Sequence, residues 1–563
     1  MYILGIWDGH DAGAALVEDN KVIFAANEER FTKRKLEVNF PKHSIEAALR
    51  YAKIKPDDIE HIAFSTTEFA KTIERMFPKM RENYYIFRRR KRLKPRFSDL
   101  RHMLKYSITS IGITPGSTTI NKHMLGKELR NMGFGKFKLY AVEHHAAHAA
   151  TAAFTSPFKK ALIITSDGLG DGLSGSISIM EKNTLTRKSV TKASDSLGIF
   201  FEQATNIIGM RELEDEGKVM AMADYSYPFS MDENLFRDFF SVDGISIKAK
   251  YNTIKQFEML QRISWQLPRE QFAYMVQQLL TEMLTKFVDN AIERFGIGDV
   301  AFSGGIFSNV KANMSLRKLD SLKHWYIFPH MGDGGIALGA ALHTNYILNG
   351  ITKHDFTAYL GPAYGENETI AALKRHKMKF QLERKEQSKH AAELVTDGHY
   401  IFWFQDRMEY GPRALGDRSI LARSDSEEIK DTLNLYVKKR EWFQPFAPSI
   451  MEEEAERLLE YDNKGKDKFM TMAYMVKKEK RNVTKSVMHI DGSARAQMVG
   501  RENPIYYDVI KQVKNISGNG IVLNTSFNVH GSPIVMDPND AIMTMKKTNS
   551  KYMFINGFFV TNK

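Results

Sequence analysis

Two stretches of this chain follow the same plan, and that repetition restricts the fold more than any other feature. Residues 3–6 are an apolar run. The loop Asp8-Gly9-His10-Asp11-Ala12-Gly13 follows, then a second run at 14–17, a polar turn at Asp19-Asn20 and a third run at 21–24. Residues 161–166 start the plan again, with Asp167-Gly168-Leu169-Gly170-Asp171-Gly172, the run 176–179 and a turn over 181–183. Short apolar runs bounded by Gly, Asp and Asn read as strands joined by turns. Strand, Asp-Gly loop, strand, turn and strand at the head of each half predict a duplicated, two-lobed domain. The glycine loops bare backbone N–H groups that can hold an anion or orient a carboxylate.

Between the repeats stands Val142-Glu143-His144-His145-Ala146-Ala147-His148-Ala149-Ala150, after a strand expected over 138–142. Alanine favours helix and the run holds no Gly or Pro, so a helix begins here. His144 and His148, four apart, share a face. Two imidazoles at a strand-to-helix junction make half of a metal site; the plainer alternative is a pair of polar helix residues satisfied by hydrogen bonds. The chain has no cysteine, so any metal is held by His, carboxylate, carbonyl or water.

The rest of the first half repeats the strand–glycine loop–helix plan. The apolar stripe over 269–296 is a core helix that Gly296 ends. Two strand–glycine loop–helix units follow. The first passes through Ser303-Gly304-Gly305 to a helix started by Asn309; the second passes through Pro329-His330-Met331-Gly332-Asp333-Gly334-Gly335 to a helix over 336–347. Parallel sheets bind nucleotides at such edges, and Asp333 and Asp167 both sit at one. Lys218, in Glu216-Gly217-Lys218, could set an ammonium on a phosphate, though an exposed turn explains it as well.

A Gly-rich connection at 348–368 leads to a strand at 400–404 and then to Gln405-Asp406-Arg407-Met408-Glu409-Tyr410-Gly411-Pro412-Arg413-Ala414-Leu415-Gly416-Asp417-Arg418. Asp425 is expected to cap a helix through Val437, with Lys438 and Arg440 beyond it. Glycine turns with convergent Arg and Lys form an anion cradle, because guanidinium matches phosphate oxygens bidentately. Surface ion pairing is the alternative. The clusters His489-Ile490-Asp491-Gly492-Ser493-Ala494-Arg495 and Leu523-Asn524-Thr525-Ser526-Phe527-Asn528 could close over the same anion.

At 563 residues the chain exceeds one ordinary core and two domains are expected. The N-terminus lacks a basic signal region and no apolar run spans a bilayer, so a soluble, cytoplasmic protein is expected, with no membrane partner. Net charge of +13 favours anionic partners. The basic run at 88–96 reads either as a solvated face or insertion, or as a patch for an anionic or nucleic-acid substrate.

These strings together resemble the O-carbamoyltransferases that include the nodulation-factor, cephamycin and tobramycin enzymes, nearly end to end. The resemblance rests on Gly9-His10-Asp11-Ala12, Glu28-Glu29-Arg30-Phe31, His144-His145-Ala146-Ala147-His148-Ala149, Ser166-Asp167-Gly168, Glu216-Gly217-Lys218-Val219-Met220 and Ser303-Gly304-Gly305. In the second half it rests on Met408-Glu409-Tyr410-Gly411-Pro412-Arg413-Ala414-Leu415-Gly416, Pro445-Phe446-Ala447-Pro448, Asp491-Gly492 and Leu523-Asn524-Thr525-Ser526-Phe527-Asn528.

The resemblance implies an α/β protein of two domains. Residues 1–358 would have the two-lobed actin-like ATPase fold, similar to the universal tRNA threonylcarbamoyl-transfer protein. Residues 359–563 would be YrdC-like. The second domain would make carbamoyl adenylate from carbamoyl phosphate and ATP, with magnesium on the ATP. The first would pass the carbamoyl group to an acceptor hydroxyl. His144, His148, Asp167 and Asp333 match the family's metal ligands; related proteins hold iron(II), and manganese(II) or zinc(II) suit the donors as well. His10 would be the general base, oriented by Asp8 or Asp11. Lys218, Gly304, Gly305 and Asn309 would hold nucleotide in the first domain. Arg413, Arg418, Lys438, Arg440, Ser526 and Asn528 would hold carbamoyl phosphate and ATP in the second. The family usually has Arg where Gln444 stands, and Arg440 or Arg423 could compensate. The acceptor is expected to be a small-molecule hydroxyl; a nucleic-acid acceptor has only the positive charge and the 88–96 run behind it. A non-catalytic nucleotide-binding regulator and a sugar kinase-like enzyme are the remaining rivals, and a homodimer stays open.

Overall fold

The computed structural model describes residues 1–90, 112–350 and 356–562, so the basic run at 88–96 lies outside them from residue 91 on. The chain divides into two compact units. Unit 1 comprises Met1–Glu28 and Leu36–Phe356; unit 2 comprises Glu29–Lys35 and Thr357–Lys563.

Unit 1 holds two five-stranded sheets of one design. The first contains β1 (Tyr2–Trp7), β2 (Gly13–Glu18), β3 (Lys21–Asn27), β4 (His61–Ser65) and β5 (Lys138–Val142), in the order β3-β2-β1-β4-β5. The three leading strands form an antiparallel meander, and β4 and β5 then add parallel to β1. In the second sheet β6 (Ala161–Gly170), β7 (Leu173–Glu181) and β8 (Thr184–Lys192) form the meander. A short hairpin of β9 (Phe240–Asp243) and β10 (Ser246–Ala249) stands apart. β11 (Asp299–Ser303) and β12 (His324–Ile327) complete the order β12-β11-β6-β7-β8, again parallel. The duplication expected from the repeated strand and loop pattern is thus present as duplicated topology.

Small residues let the elements that carry the site approach closely. The helix Ile336–Asn349 packs on β1 and on the helix His144–Thr155. A Cβ on Gly5 would fall 1.9 Å from the Ala337 carbonyl oxygen, and one on Gly339 would fall 2.2 Å from that of Ala147. Both helices therefore start side by side at the C-terminal ends of parallel strands. The core helix runs Arg269–Phe295 and ends on Gly296 at φ 62°, as its apolar stripe predicts.

Unit 2 is built on one mixed sheet. Its strands are β13 (Lys379–Leu382), β14 (Ile401–Phe404), β15 (Arg418–Ala422), β16 (Ala447–Met451), β19 (Gln497–Val499), β20 (Ile521–Ser526), β21 (Tyr552–Ile555) and β22 (Phe558–Thr561). Their order is β13-β22-β21-β14-β15-β20-β16-β19, and the two-residue strands β17 (Tyr474–Met475) and β18 (Ser493–Ala494) pair separately. Ala391, Ala392, Val395, Val509 and Val513, from the helices Gln387–Thr396 and Pro504–Ser517, bury Trp403 and Phe554 of the sheet.

The helix expected over 425–437 differs. Ser426, not Asp425, caps it, and after Glu427–Thr432 it widens into a π-helix over Leu433–Lys438. Asp425 is instead held by Arg423 at 2.6 and 3.0 Å. The widened turn brings Lys438 inward, an adjustment typical of functional sites. Among the described residues no helix is long and apolar enough to cross a membrane.

Candidate metal centre and cationic cluster

β5 runs into Glu143, whose carboxylate accepts from the N–H groups of His145 and Ala146 at 2.9 Å each and so starts the His144–Thr155 helix. That start puts His144 and His148 on one buried face. β6 delivers Asp167, and the turn after β12 delivers Asp333. One donor atom from each of the four residues lies within 4.8 Å of the others. His144 Nε2 stands 3.3 Å from Asp167 Oδ2 and 3.5 Å from Asp333 Oδ1; His148 Nε2 stands 3.2 and 3.7 Å from the same two oxygens.

The opposite ring nitrogens are engaged elsewhere. His144 Nδ1 lies 3.0 Å from Thr66 Oγ1 and His148 Nδ1 lies 3.3 Å from Ser303 Oγ, so both rings turn Nε2 toward the carboxylates. Space is cleared for this by Gly170, where a Cβ would sit 2.2 Å from the His144 ring.

The charges suit a divalent cation. Burial disfavours a charged imidazole at His144, yet Asp333 and Asp167 outweigh it and push its pKa up to about 10. His148 is buried as deeply and is raised by the same carboxylates. Burial alone would raise Asp167, but the two imidazoles hold it well below the usual range. Two carboxylates facing two imidazoles favour positive charge at this point, and a divalent ion would supply it directly. His145 is pushed down to about 3 by burial and by His144, so it stays neutral and outside the set. The donors fit iron(II), manganese(II) or zinc(II).

His10 borders this centre. Its Nδ1 is 3.5 Å from Asp333 Oδ2 and its side chain keeps 25% of its exposure, so it can be reached from solvent. Asp8 does not orient it. Arg75 takes both Asp8 oxygens, at 2.9 and 2.8 Å, and Lys71 and Arg81 stand 3.4 and 3.7 Å away. Burial opposes ionisation of Asp8, but these cations hold its pKa well below the usual carboxylate range. Asp8 is a buried counter-ion, and Asp333 is the carboxylate beside His10. Asp11 reaches another ring, His330, with Oδ2 3.7 Å from Nε2; that nitrogen also lies 2.9 Å from Asn27 Oδ1. His330 stands in no motif of its own; its signal in the sequence is its place three residues before Asp333 on one glycine loop.

The expected nucleotide residues of unit 1 are largely spent within the protein. Gly305 N–H donates to Asp167 Oδ1 at 3.0 Å, and Gly304 N–H to the Met331 carbonyl at 2.7 Å. Asn309 caps the helix Val310–Arg317 and exchanges hydrogen bonds with the Gln277 amide at 2.8 and 3.2 Å. Gly304 and Gly305 thereby tie their loop to Met331 and Asp167, while Asn309 ties its helix to Gln277. Lys218 lies 3.0 Å from Asp215.

In unit 2 the expected residues separate into two groups. Arg418 is 0% exposed, its guanidinium stacked 3.6 Å above Phe404. It donates to the carbonyls of Gln405, Asp417 (2.9 Å), Asp406 (3.1 Å) and Met536 (3.4 Å). It is a structural clamp, not a phosphate ligand. Lys438 Nζ likewise bonds Ser526 Oγ at 3.1 Å, Asn528 Oδ1 at 2.5 Å and both of their carbonyls, so these three are assembled on one another. Burial, then Arg440 and Lys35, depress its pKa.

Arg440 is partly engaged, donating from Nε to Asn434 Oδ1 at 2.7 Å and from Nη2 to the Pro445 carbonyl at 3.2 Å, with its guanidinium 4.3 Å above the Phe446 ring; Arg413 and Arg495 complete this part of unit 2. Burial pushes Arg413 and Arg440 each down to about 10. Arg495 is lowered further, by burial and then by Arg413 and Arg440, with Asp467 opposing. Arginine does not lose its proton in proteins, so such shifts record the cost of burying the charge. Arg495 Nε is buried without a hydrogen-bond partner. Arg495 lies in the 489–495 cluster expected to close over the anion, without a spacing signal of its own. Gln444 bonds Glu441 at 2.6 Å. Of the two arginines expected to compensate, Arg423 is paired with Asp425.

Residues 2–342 match the family described as Carbamoyltransferase N-terminus and residues 392–562 the one described as Carbamoyltransferase C-terminus. An uncharacterised protein of Methanocaldococcus jannaschii is 35% identical over 78% of this chain and 76% of its own. Nodulation protein NolNO of Sinorhizobium fredii is 30% identical over 98% of this chain and 79% of its own. Among solved structures, HypF of T. kodakarensis superposes with a TM-score of 0.37 at 14% identity, over 62% of this chain and 47% of HypF; the sheet order, not that likeness, describes the fold.

Proposed function

The chain belongs to the carbamoyltransferase family, and from that premise we propose an ATP- and metal-dependent O-carbamoyltransferase acting on a small-molecule hydroxyl. In this reading unit 1 is an actin-like domain, supported by its duplicated sheet order, and unit 2 is YrdC-like. Unit 2 carries out activation. Carbamoyl phosphate loses inorganic phosphate to water, the carbamate oxygen attacks the α-phosphorus of ATP, and pyrophosphate leaves. Carbamoyl adenylate is the product. Arg413, Arg440 and Arg495 bind the phosphate oxygens, and their mutual repulsion in the free protein favours an incoming anion. The observation that carries the reading is Arg495, whose buried Nε has no hydrogen-bond partner and which the charges of Arg413 and Arg440 oppose.

Unit 1 carries out transfer. His144, His148, Asp167 and Asp333 would hold a divalent ion, iron(II) by family resemblance, whose Lewis acidity would polarise the carbamoyl carbonyl and offset phosphate charge. His10 Nε2 takes the proton of the acceptor hydroxyl while Nδ1 faces Asp333. The hydroxyl oxygen attacks the carbamoyl carbon and AMP departs.

The test separates the half-reactions. With ATP, carbamoyl phosphate and magnesium but no acceptor, the wild-type protein is expected to release pyrophosphate and form carbamoyl adenylate. Arg495→Ala is expected to lose this step. His148→Ala is expected to retain it and to lose the metal-dependent release of AMP, with water in place of the acceptor. Wild-type adenylate formation by Arg495→Ala would overturn the reading.

A further inference from the structure

Thr66 adopts a backbone conformation that its side chain resists. Its φ is +67°, and among the described residues with positive φ it is the only β-branched one. Branching at Cβ makes the left-handed region costly, and such strain persists only where surrounding contacts impose it.

Those contacts are present. Arg75 Nη1 donates to the Thr66 carbonyl at 2.8 Å, and Thr66 N–H donates to the Val142 carbonyl at 3.2 Å. Asp171 Oδ1 accepts the next two N–H groups, of Thr67 and Glu68, at 3.0 Å each. Its other oxygen accepts from the backbone N–H of His144 at 2.8 Å. Arg75 is itself immobilised by both oxygens of Asp8, by Asn121 Oδ1 at 2.7 Å and by the Ser65 carbonyl at 3.1 Å. The strained turn ends with Thr66 Oγ1 3.0 Å from His144 Nδ1.

We propose that Thr66 is a positioning residue for the metal centre: its hydroxyl, held in place by the strained turn and the Asp8–Arg75 pair, fixes the His144 ring with Nε2 toward the ion. The proposal rests on reading the four-residue cluster as a metal centre. Accepting from Nδ1–H leaves the Nε2 lone pair free for coordination. The strain then serves a purpose: an unstrained turn would carry the hydroxyl away from the ring. The buried ion cluster around Asp8, which touches no reacting atom, acts as the strut for this turn.

The test uses the full chain, stripped of metal by chelation, with cobalt(II) as the probe followed by calorimetry and visible absorption. Thr66→Val is expected to weaken cobalt binding by about 10–100-fold and Thr66→Ser by less than about threefold. Thr66→Gly relieves the strain but deletes the hydroxyl, so its metal-free form should melt at or above the wild-type temperature while binding cobalt about 10–100-fold more weakly. A purely structural role would not give that split. Wild-type affinity in both Thr66→Val and Thr66→Gly would overturn the proposal. His148→Ala tells the two failures apart: if it also binds cobalt as wild type does, the metal-centre reading itself falls.

Discussion

Asp8 and Asp167 are both aspartates at the end of an apolar strand, and the sequence shows them in equivalent loops. The structure gives one to three cations and the other to two imidazoles. What separates them is the helix Phe69–Met76, whose Lys71 and Arg75 reach Asp8. No local signal ties residue 75 to residue 8, which is why Asp8 was expected beside His10. Asp8→Asn should leave those cations buried and uncompensated, destabilising the protein by about 3–5 kcal/mol at neutral pH. The pH dependence has a definite sign. Asp8 ionises in the folded protein well below its ordinary 3.8, so its contribution is complete above that value and fades as pH falls below it. Urea unfolding of the wild type and the variant should therefore show a gap that narrows below about pH 4. A gap that stays constant down to pH 3 would contradict the assignment.

The loop following Met408 shows how an element can be legible in composition and not in role. Its glycines, proline and arginines announced an anion cradle, but Arg413 and Arg418 could not be told apart. Their partners decide between them: Arg418 donates to four carbonyls, whereas the charge of Arg413 acts on Arg495. The loop is shaped by Glu409, whose Oε1 accepts the N–H groups of Leu415, Asp417 and Arg418 at 2.7, 2.8 and 3.1 Å. Asp417 nearby is raised well above the ordinary carboxylate range, by burial and then by the Glu409 charge. Glu409→Gln keeps the shape and removes that charge. Hydrogen bonds to charged groups contribute about 1.5–3 kcal/mol, and a loss of that order is expected in urea unfolding. Carbamoyl phosphate binding, followed by calorimetry, should weaken with it because the turn presenting Arg413 loosens. Unchanged unfolding and unchanged binding would show that the loop holds its form without the carboxylate. The π-helix over Leu433–Lys438 was illegible for a related reason: its widening answers the oxygens gathered around Lys438, which come from residues 526 and 528.

At the scale of the whole chain, the repeated strand and loop pattern was readable because each copy is local: three strands, two turns and one glycine loop in sequence. The parallel additions, β4 and β5 on β1 and β11 and β12 on β6, come from distant segments; β5, β11 and β12 were visible as strands leading into loops and helices, while β4 went unread. Least legible was Glu29–Lys35, which belongs to unit 2 although unit 1 residues flank it on both sides. In sequence it is merely the continuation of the first meander. The division of labour proposed for the two units predicts where ligands suppress hydrogen exchange, since binding stabilises the elements that contact the ligand. Cobalt(II) added alone should slow exchange at the start of the His144–Thr155 helix and around Asp167 and Asp333, in unit 1. Carbamoyl phosphate added alone should slow it through residues 411–418 and around Arg440 and Arg495, in unit 2. Glu29–Lys35 is the discriminating segment: grouped with unit 2, it should respond to carbamoyl phosphate and not to cobalt. If carbamoyl phosphate protected the 144–148 turn and left 411–418 unchanged, activation would belong to unit 1, and the guanidinium cluster would need another anion to explain it.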